Sequence, residues 1–333
     1  MTETKFPEPD AVRNYMLQRI EKLEVQLQAG IEAMLPVLER REKMNEEYNV
    51  HRIAANDLWQ AGDKAGWLRE KKIRDELYPQ LKLLNAELNL AKDSNAQIVL
   101  AINKLAEGYE KRNGLYLEYK DDRLGTASKT ISFPDNTPEW HAQRAKGIGG
   151  SDVGAIMGCS PFSTREEIFC LKTGQAMPEA RQNSGALFRG SAWEPYIARM
   201  FAKKNPEIKL VHCKDSWQND VREHHLANLD GLLFENGSLN PTAILEIKTS
   251  SVAKSWEDGV PPYYRLQTLW YMSAFGIMKA IVVVLINDKE YLQFEVVPEP
   301  GEIEEMHTAV DAFVDEIKAY KEEKKRQEAG LFA

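Results

Sequence analysis

Two carboxylates and one ammonium group are spaced so that a hairpin would bring them together. Asp230 ends an apolar run, and after a turn-rich spacer residues 244–248 alternate apolar and charged side chains. A period of two indicates a strand, so Glu246 and Lys248 point to the same face. Pairing of the two runs would place Asp230 beside both. Such charges in apolar surroundings are costly unless they bind something, and a divalent metal with a water nucleophile suits them.

A glycine-rich segment could hold a phosphate. Arg144 is followed by three glycines and by Ser151 and Asp152, which are expected to cap a helix over residues 153–157. A glycine turn, a helix N-terminus, an arginine and a serine together can bind an anion. Taken alone, a glycine turn before a helix is more often just a turn than a phosphate site.

Two further helices carry polar groups of interest. Glu194 lies in a helix predicted over residues 185–202, where it is either a surface residue near Pro195 or a third carboxylate for a metal. The spacing alone does not decide between these readings. A helix predicted over residues 265–275 places Gln267 and Tyr271 on one face.

Composition limits the classes of function. The chain has 333 residues, 43% of them hydrophobic, which predicts more than one domain and a substantial core. Its net charge of −8 leaves no general basic field, so any DNA contact must be a local basic patch. Three cysteines without CxxC pairing, and histidines at positions 212, 224 and 225, match no disulfide framework or zinc signature. No run approaches the roughly 20 apolar residues that span a bilayer, so we expect a soluble, intracellular protein.

The first third of the chain is predicted to be helical. Apolar residues follow one heptad frame from Met16 to Met44 and a second frame from Leu77 to Tyr109, with Asn95 as a polar member of the second seam. Pro36 should bend or interrupt the first helix. We expect an antiparallel hairpin, coiled with itself or with a second copy, that serves assembly, partner docking or support of DNA. Breakers that include Gly125, Pro134 and Asp135-Asn136 separate it from mixed strands and helices.

Five blocks of sequence in a fixed order resemble one known family. They are Trp140-His141 with Arg144 and residues 149–152, then residues 190–194, then Asp230-Gly231, then residues 246–248, then residues 267–271. This arrangement, over about residues 131–298, resembles the lambda-exonuclease / YqaJ-like viral recombinase family of PD-(D/E)XK nucleases. The resemblance implies an α/β fold with a restriction-endonuclease-like three-layer α/β/α core over residues 126–333. Residues 1–125, the helical coiled-coil arm that the heptad pattern predicts, lie outside the resemblance.

The resemblance also implies roles for individual residues. Glu194, Asp230 and Glu246 correspond to metal-binding acids, and the carbonyl of Ile247 to an additional ligand. Lys248 corresponds to the lysine that orients or activates the attacking water. The remaining correspondences are substrate-binding: Arg144 and Ser151 hold a 5′-phosphate, Gln267 lies on the helix after the catalytic strand, and Asn228 replaces a serine of the lambda-type pocket.

The implied function is that of a Mg²⁺-dependent deoxyribonuclease, with Mn²⁺ as a substitute. It would act 5′→3′ on double-stranded DNA ends in phage-type recombination, as a homo-oligomer. The single-stranded DNA that it produces would be bound by a single-strand annealing protein. A phage or prophage gene expressed in the cytoplasm of a bacterial host would fit this setting. Two alternatives stay open: an endonuclease or nickase with the same site, and a non-catalytic scaffold that binds DNA ends.

Overall fold

The chain divides into two compact units. The computed structural model describes residues 9–133, 137–175, 184–235 and 237–330. One unit comprises Met1–Asn113 with Asn183–Tyr196, and the other comprises Gly114–Gln182 with Ile197–Ala333. The boundary that the sequence placed at residue 125 therefore lies after Asn113. The breakers at residues 134–136 and the turn residue Asn236 lie outside the described residues.

Eight α-helices and nine strands make up the described part of the chain. The helices are α1 (Pro9–Gln60), α2 (Lys64–Arg112), α3 (Pro138–Arg144), α4 (Gly150–Ile156), α5 (Arg165–Thr173), α6 (Ser184–Lys204), α7 (Pro262–Phe275) and α8 (Glu302–Gly330). The strands are β1 (Arg123–Leu124), β2 (Ala127–Lys129), β3 (Lys209–His212), β4 (Ser216–Asn219), β5 (Leu226–Asn228), β6 (Gly231–Phe234), β7 (Ala243–Ser250), β8 (Ala280–Ile286) and β9 (Glu290–Val296). No helix in the described ranges is long and apolar enough to cross a membrane.

The helical unit is built on an antiparallel pair of long helices. Arg41 on α1 donates to Asn85 on α2 at 3.2 Å, and nearer the turn His51 lies 2.6 Å from Glu70. The predicted interruption at Pro36 does not occur, and α1 continues through it. Residues on both sides of Pro36 are buried against α2, and this packing offsets the one backbone hydrogen bond that the proline removes.

The buried side of α2 is wider than the predicted seam. Asn95 is buried against Gly30, where an added Cβ would lie 2.4 Å from the Asn95 amide oxygen. A second stripe is buried as well, because the first half of α6 belongs to the same unit. Asn103 donates to the carbonyl of Ala192 at 2.7 Å. The members of this second stripe are Lys92, Ala96, Val99, Asn103 and Ala106.

The second unit is a mixed α/β structure around a five-stranded sheet in the order β3-β6-β7-β8-β9. Only β7 and β8 are parallel. All of β8 is buried, as its uninterrupted apolar sequence predicts. Ile244, Val282 and Val284 share one core with residues of α4, α7 and α8. Alternation along β7 directs Leu245 to the opposite face, where it is also buried.

A smaller sheet, in the order β1-β2-β4-β5, uses residues that the sequence assigned to a linker. Its strand β4, with the sequence Ser-Trp-Gln-Asn, was not predicted because only Trp217 in it is strongly apolar. Trp217 is fully buried, with its ring 5.6 Å from that of Phe275. This sheet therefore packs against α7 and supports the strands that lead to Asp230.

Gly125, in the turn between β1 and β2, is irreplaceable on steric grounds. Its φ is +57°, and an added Cβ would lie 1.9 Å from the carbonyl oxygen of Phe275. Gly276 has a φ of +70° with open space around it. We expect Gly125→Ala to lower the free energy of unfolding by about 2–3 kcal/mol more than Gly276→Ala, which carries only the left-handed backbone cost. Urea unfolding measures both, and equal losses would contradict the close packing at Gly125.

Candidate active site

The hairpin of β6 and β7 brings Asp230, Glu246 and Lys248 together. Asp230 directly precedes β6, and its Oδ2 accepts a hydrogen bond from the backbone N–H of Ile247 at 2.6 Å. Glu246 is only 2% exposed, and the ammonium of Lys248 donates to its Oε1 at 2.5 Å. The predicted hairpin geometry is therefore present, with the Glu246 carboxylate buried and Asp230 half-buried.

The two oxygens of Glu246 have different surroundings. Oε1 accepts hydrogen bonds from Lys248 and from the amide of Gln267, the latter at 2.8 Å. Oε2 is buried and has no hydrogen-bond partner among the described residues. A buried carboxylate oxygen without a partner costs free energy. This oxygen is thus an acceptor that a cation could satisfy.

Burial and mutual charge set the protonation of the group. Burial raises the pKa of Glu246 to about 7, an effect that Lys248 opposes and Asp230 reinforces. Burial also raises the pKa of Asp230. For Lys248, burial alone would lower the pKa, but the carboxylates of Glu246 and Asp230 raise it above its ordinary value. Lys248 is therefore held as an ammonium ion, and its nitrogen lies 4.9 Å from the centre of the Tyr264 ring.

The predicted phosphate-binding groups lie around a separate small pocket. Arg144 donates to Ser151 Oγ at 2.7 Å, and its guanidinium carbon lies 4.8 Å from the centre of the Trp140 ring. Arg144, Trp140 and Asn228 line the pocket together with Gly149, Gly150 and Tyr271. Asn228 therefore lines the same pocket as Arg144.

The contact between α4 and α7 links this pocket to the carboxylates. A Cβ on Gly150 would lie 2.7 Å from the ring of Tyr271 and 2.9 Å from Gln267. Gln267 in turn donates to Glu246, and its amide lies 3.2 Å from the Tyr271 hydroxyl. Only glycine at position 150 permits this approach. The two groups of predicted residues are therefore parts of one site.

A buried ion pair behind the pocket was not predicted. Lys172, on α5, has its ammonium 2.8 Å from Asp152 Oδ2 and donates to the carbonyl of Arg144 at 2.7 Å. Asp152 was expected to cap the next helix together with Ser151. The helix begins earlier than predicted, at Gly150, and Asp152 caps it from within its first turn by accepting from the N–H of Gly149 at 3.0 Å. The one sequence signal for Lys172 is its position four residues after the buried Ile168 on α5.

Glu194 and the histidines have surroundings of a different kind. Glu194 is exposed on the part of α6 that belongs to the helical unit, so its role as a ligand stays a prediction. Within the described ranges, no group of three or more His, Cys, Asp or Glu side chains is placed to hold a metal ion. His225 is buried, with its ring 3.5 Å from that of Trp270, and His224 lies 3.1 Å from Asp311.

Comparison with known proteins identifies the class of the central segment. Residues 139–277 match the family model of the YqaJ-like viral recombinase domain. The resemblance inferred from the sequence blocks is confirmed over these residues.

Particular relatives follow from the same comparison. The uncharacterized protein YqaJ of Bacillus subtilis (strain 168) is 33% identical over 163 residues, which are 47% of this chain and 49% of that protein. The match thus spans about half the length of the relative. An alkaline exonuclease from Laribacter hongkongensis is 24% identical, over 59% of this chain and 100% of that one, with a TM-score of 0.47. Its complex with dAMP gives a TM-score of 0.45.

Proposed function

We propose that this chain is a Mg²⁺-dependent DNA nuclease that removes nucleotides 5′→3′ from one strand at double-stranded ends. The observation that carries the proposal is the unpartnered, buried Oε2 of Glu246, beside Asp230 and the ammonium of Lys248. The match of residues 139–277 to the family model of the YqaJ-like viral recombinase domain supports the same interpretation.

The residues present fit a hard divalent cation. Glu246 Oε2 and the Asp230 carboxylate would hold it, and the carbonyl of Ile247 and the carboxylate of Glu194 are the further ligands that the family resemblance assigns. Oxygen ligands suit Mg²⁺ or Mn²⁺, whereas Ca²⁺ should bind without supporting turnover. When bound, such a cation supplies an activated water and charge relief on the leaving oxygen.

Lys248 and Gln267 position the reacting groups. Both donate to Glu246 Oε1, which leaves Oε2 directed away from them. The ammonium of Lys248, held between this carboxylate and the Tyr264 ring, can orient a water by hydrogen bonding and stabilise negative charge on a phosphoryl oxygen. Arg144 and Ser151 would bind the terminal 5′-phosphate and so place the scissile bond near the carboxylates.

The setting of the activity is part of the same proposal. The mixed sheet with α4, α7 and α8 on one face is compatible with a restriction-endonuclease-like three-layer core. The antiparallel helices α1 and α2 are compatible with a coiled-coil arm. We infer a homo-oligomer in the cytoplasm of a bacterial host, encoded by a phage or prophage. Its single-stranded product would pass to a single-strand annealing protein during recombination.

A linear duplex labelled at one 5′ end or one 3′ end tests the activity. With Mg²⁺ we expect the 5′ label to appear at once in the shortest product, while the 3′-labelled strand shortens progressively. Ca²⁺ should give no product. Covalently closed plasmid separates the alternatives. Its nicking would indicate an endonuclease, and end binding without hydrolysis in Mg²⁺ or Mn²⁺ would indicate a scaffold.

Removal of the Arg144 guanidinium should affect phosphorylated ends selectively. We expect Arg144→Ala to slow hydrolysis of 5′-phosphorylated duplex about 10–100-fold, since a charge-assisted hydrogen bond contributes about 1.5–3 kcal/mol. Duplex with 5′-hydroxyl ends should be affected far less. Arg165→Ala is the matched control, because it removes an exposed arginine of α5 whose ion-pair partner is Glu316 on α8. Equal losses on the two ends would exclude the pocket as the 5′-phosphate site.

A further inference from the structure

A second opening in the sheet unit, which we call the basic cleft, has a volume of about 760 Å³. Its walls are the loop of residues 145–148, the segment 221–224 and one face of α8. Five lysines and arginines line it, against one carboxylate. The cations used below are Lys146, Arg222, Lys318 and Lys321.

This positive charge is concentrated in an acidic chain. Arg222 contacts Asp311, and Lys318 lies 3.0 Å from Asp315. Lys146 and Lys321 are exposed and make no ion pair with another described residue. With a net charge of −8 for the whole chain, such a cluster defines a local site for an anion.

The positive charge continues along α8. Val314, Ile317, Lys318 and Lys321 all line the cleft, with the spacing of one helix face. The same face continues to Lys325, which is exposed. Seven residues of helix span about 10 Å, so the stripe from Lys318 to Lys325 is long enough to meet more than one phosphate of a strand. The charged end of α8, which the sequence alone suggests is a solvated surface, could therefore contact the phosphates of a strand.

The cleft shares a wall with the candidate active site. Arg144 and Gly149 line the phosphate pocket, whereas Lys146 and Gly147, in the same loop, line the basic cleft. A Cβ on Gly147 would lie 2.7 Å from the carbonyl oxygen of His224, so the loop is packed tightly against the neighbouring segment. The two openings are therefore fixed relative to each other by one packed loop.

We propose that the basic cleft binds single-stranded DNA. This proposal rests on the proposed nuclease function. Its volume is that of a site for a ligand of drug or nucleotide size, too small for a duplex. The cations would contact phosphates, while Val221 and Ile317 offer apolar contacts to sugars. Among the described residues no Phe, Trp or Tyr side chain lines the cleft, so recognition rests on the backbone of the strand and is independent of base sequence.

Fluorescence anisotropy with a labelled oligothymidylate of about 15 nucleotides tests the proposal. The full chain carries Glu246→Gln and the buffer contains EDTA, so that nothing is hydrolysed. We expect Lys318→Glu with Lys321→Glu to weaken binding about tenfold or more. The slope of log K against log salt should fall by about 1.4, for two lost phosphate contacts. Lys203→Glu with Lys209→Glu, an equal charge change at exposed positions outside the cleft, should leave binding within about twofold.

The outcomes separate this proposal from the proposed function. The proposal that the cleft binds a strand would be overturned if the two double variants bound the oligonucleotide equally. It would also be overturned if dAMP displaced the oligonucleotide as effectively as unlabelled oligothymidylate does. Hydrolysis is measured separately, on short linear duplex in Mg²⁺ with Glu246 intact. If the unmodified chain hydrolyses nothing, the proposed function fails whatever the anisotropy shows. If it hydrolyses duplex but the cleft variant binds the oligonucleotide normally, only the cleft proposal fails.

Discussion

Glu246→Gln should reduce phosphodiester hydrolysis by at least about 10³-fold while the protein stays folded. The substitution retains an oxygen that can accept from Lys248 and Gln267, but it removes the negative charge that a cation and a protonated lysine both require. Lys248→Ala should reduce the rate to a similar degree, because it removes the group that orients the water and stabilises charge. Initial rates on linear duplex in Mg²⁺ measure both effects.

The same sheet supplies a matched control. Glu235, directly after β6, and Lys279, directly before β8, form an ion pair of the same residue types at 2.9 Å, outside the site. Glu235→Gln and Lys279→Ala should therefore leave the rate within about twofold, since partly exposed pairs contribute little. A wild-type rate in Glu246→Gln, or a loss of similar size in Glu235→Gln, would show that the site is assigned wrongly.

Metal binding has a readout that does not depend on activity. A ligand at 100 times its Kd raises the free energy of unfolding by about 2.7 kcal/mol. Mg²⁺ or Ca²⁺ should therefore raise the melting temperature of the unmodified protein and of Glu235→Gln, but not that of Glu246→Gln or Asp230→Asn. An unchanged thermal shift in Asp230→Asn would exclude this carboxylate as a ligand.

The sequence predicted the centre of this site because the signals are local. Alternation along residues 244–248 set the face of Glu246 and Lys248, and the turn-rich spacer predicted the pairing with the run that ends at Asp230. A heptad pattern likewise predicted two antiparallel helices. In each case a period of a few residues determines which side chains share a face.

Features that depend on distant partners were not predictable in this way. Strand β4 is buried only because β2 and β5 pair with it, and its own sequence is mostly polar. The stripe that includes Asn103 is buried because α6 covers it, from almost 90 residues further along the chain. The basic cleft likewise combines a loop, a short segment and the last helix. No spacing within one segment encodes such encounters.

Lys172→Met should lower the free energy of unfolding by about 3–5 kcal/mol. The side chain is almost fully buried, and its ammonium contacts both the Asp152 carboxylate and the carbonyl of Arg144. Burial lowers the pKa of Lys172, and Asp152 opposes this effect. Removal of Lys172 leaves the buried Asp152 carboxylate with the Arg144 guanidinium, at 3.5 Å, as its remaining ion-pair partner. Loss of one member of a buried ion pair costs more than the pair itself contributes. Urea unfolding gives the magnitude.

The double variant separates the pair from simple packing. Lys172→Met with Asp152→Leu leaves no isolated charge, so it should lose less stability than the sum of the two single variants. Asp152 also accepts from Gly149, and Lys172 from behind holds the carbonyl of Arg144, so the pair positions both sides of the phosphate pocket. The double variant should therefore still show a cooperative unfolding transition, but it should bind 5′-phosphorylated ends less tightly than the unmodified protein. If the double variant lost as much stability as the two single variants together and bound 5′-phosphorylated ends normally, Lys172 and Asp152 would contribute independently to packing. The proposed role of the pair in positioning the phosphate pocket would then be wrong.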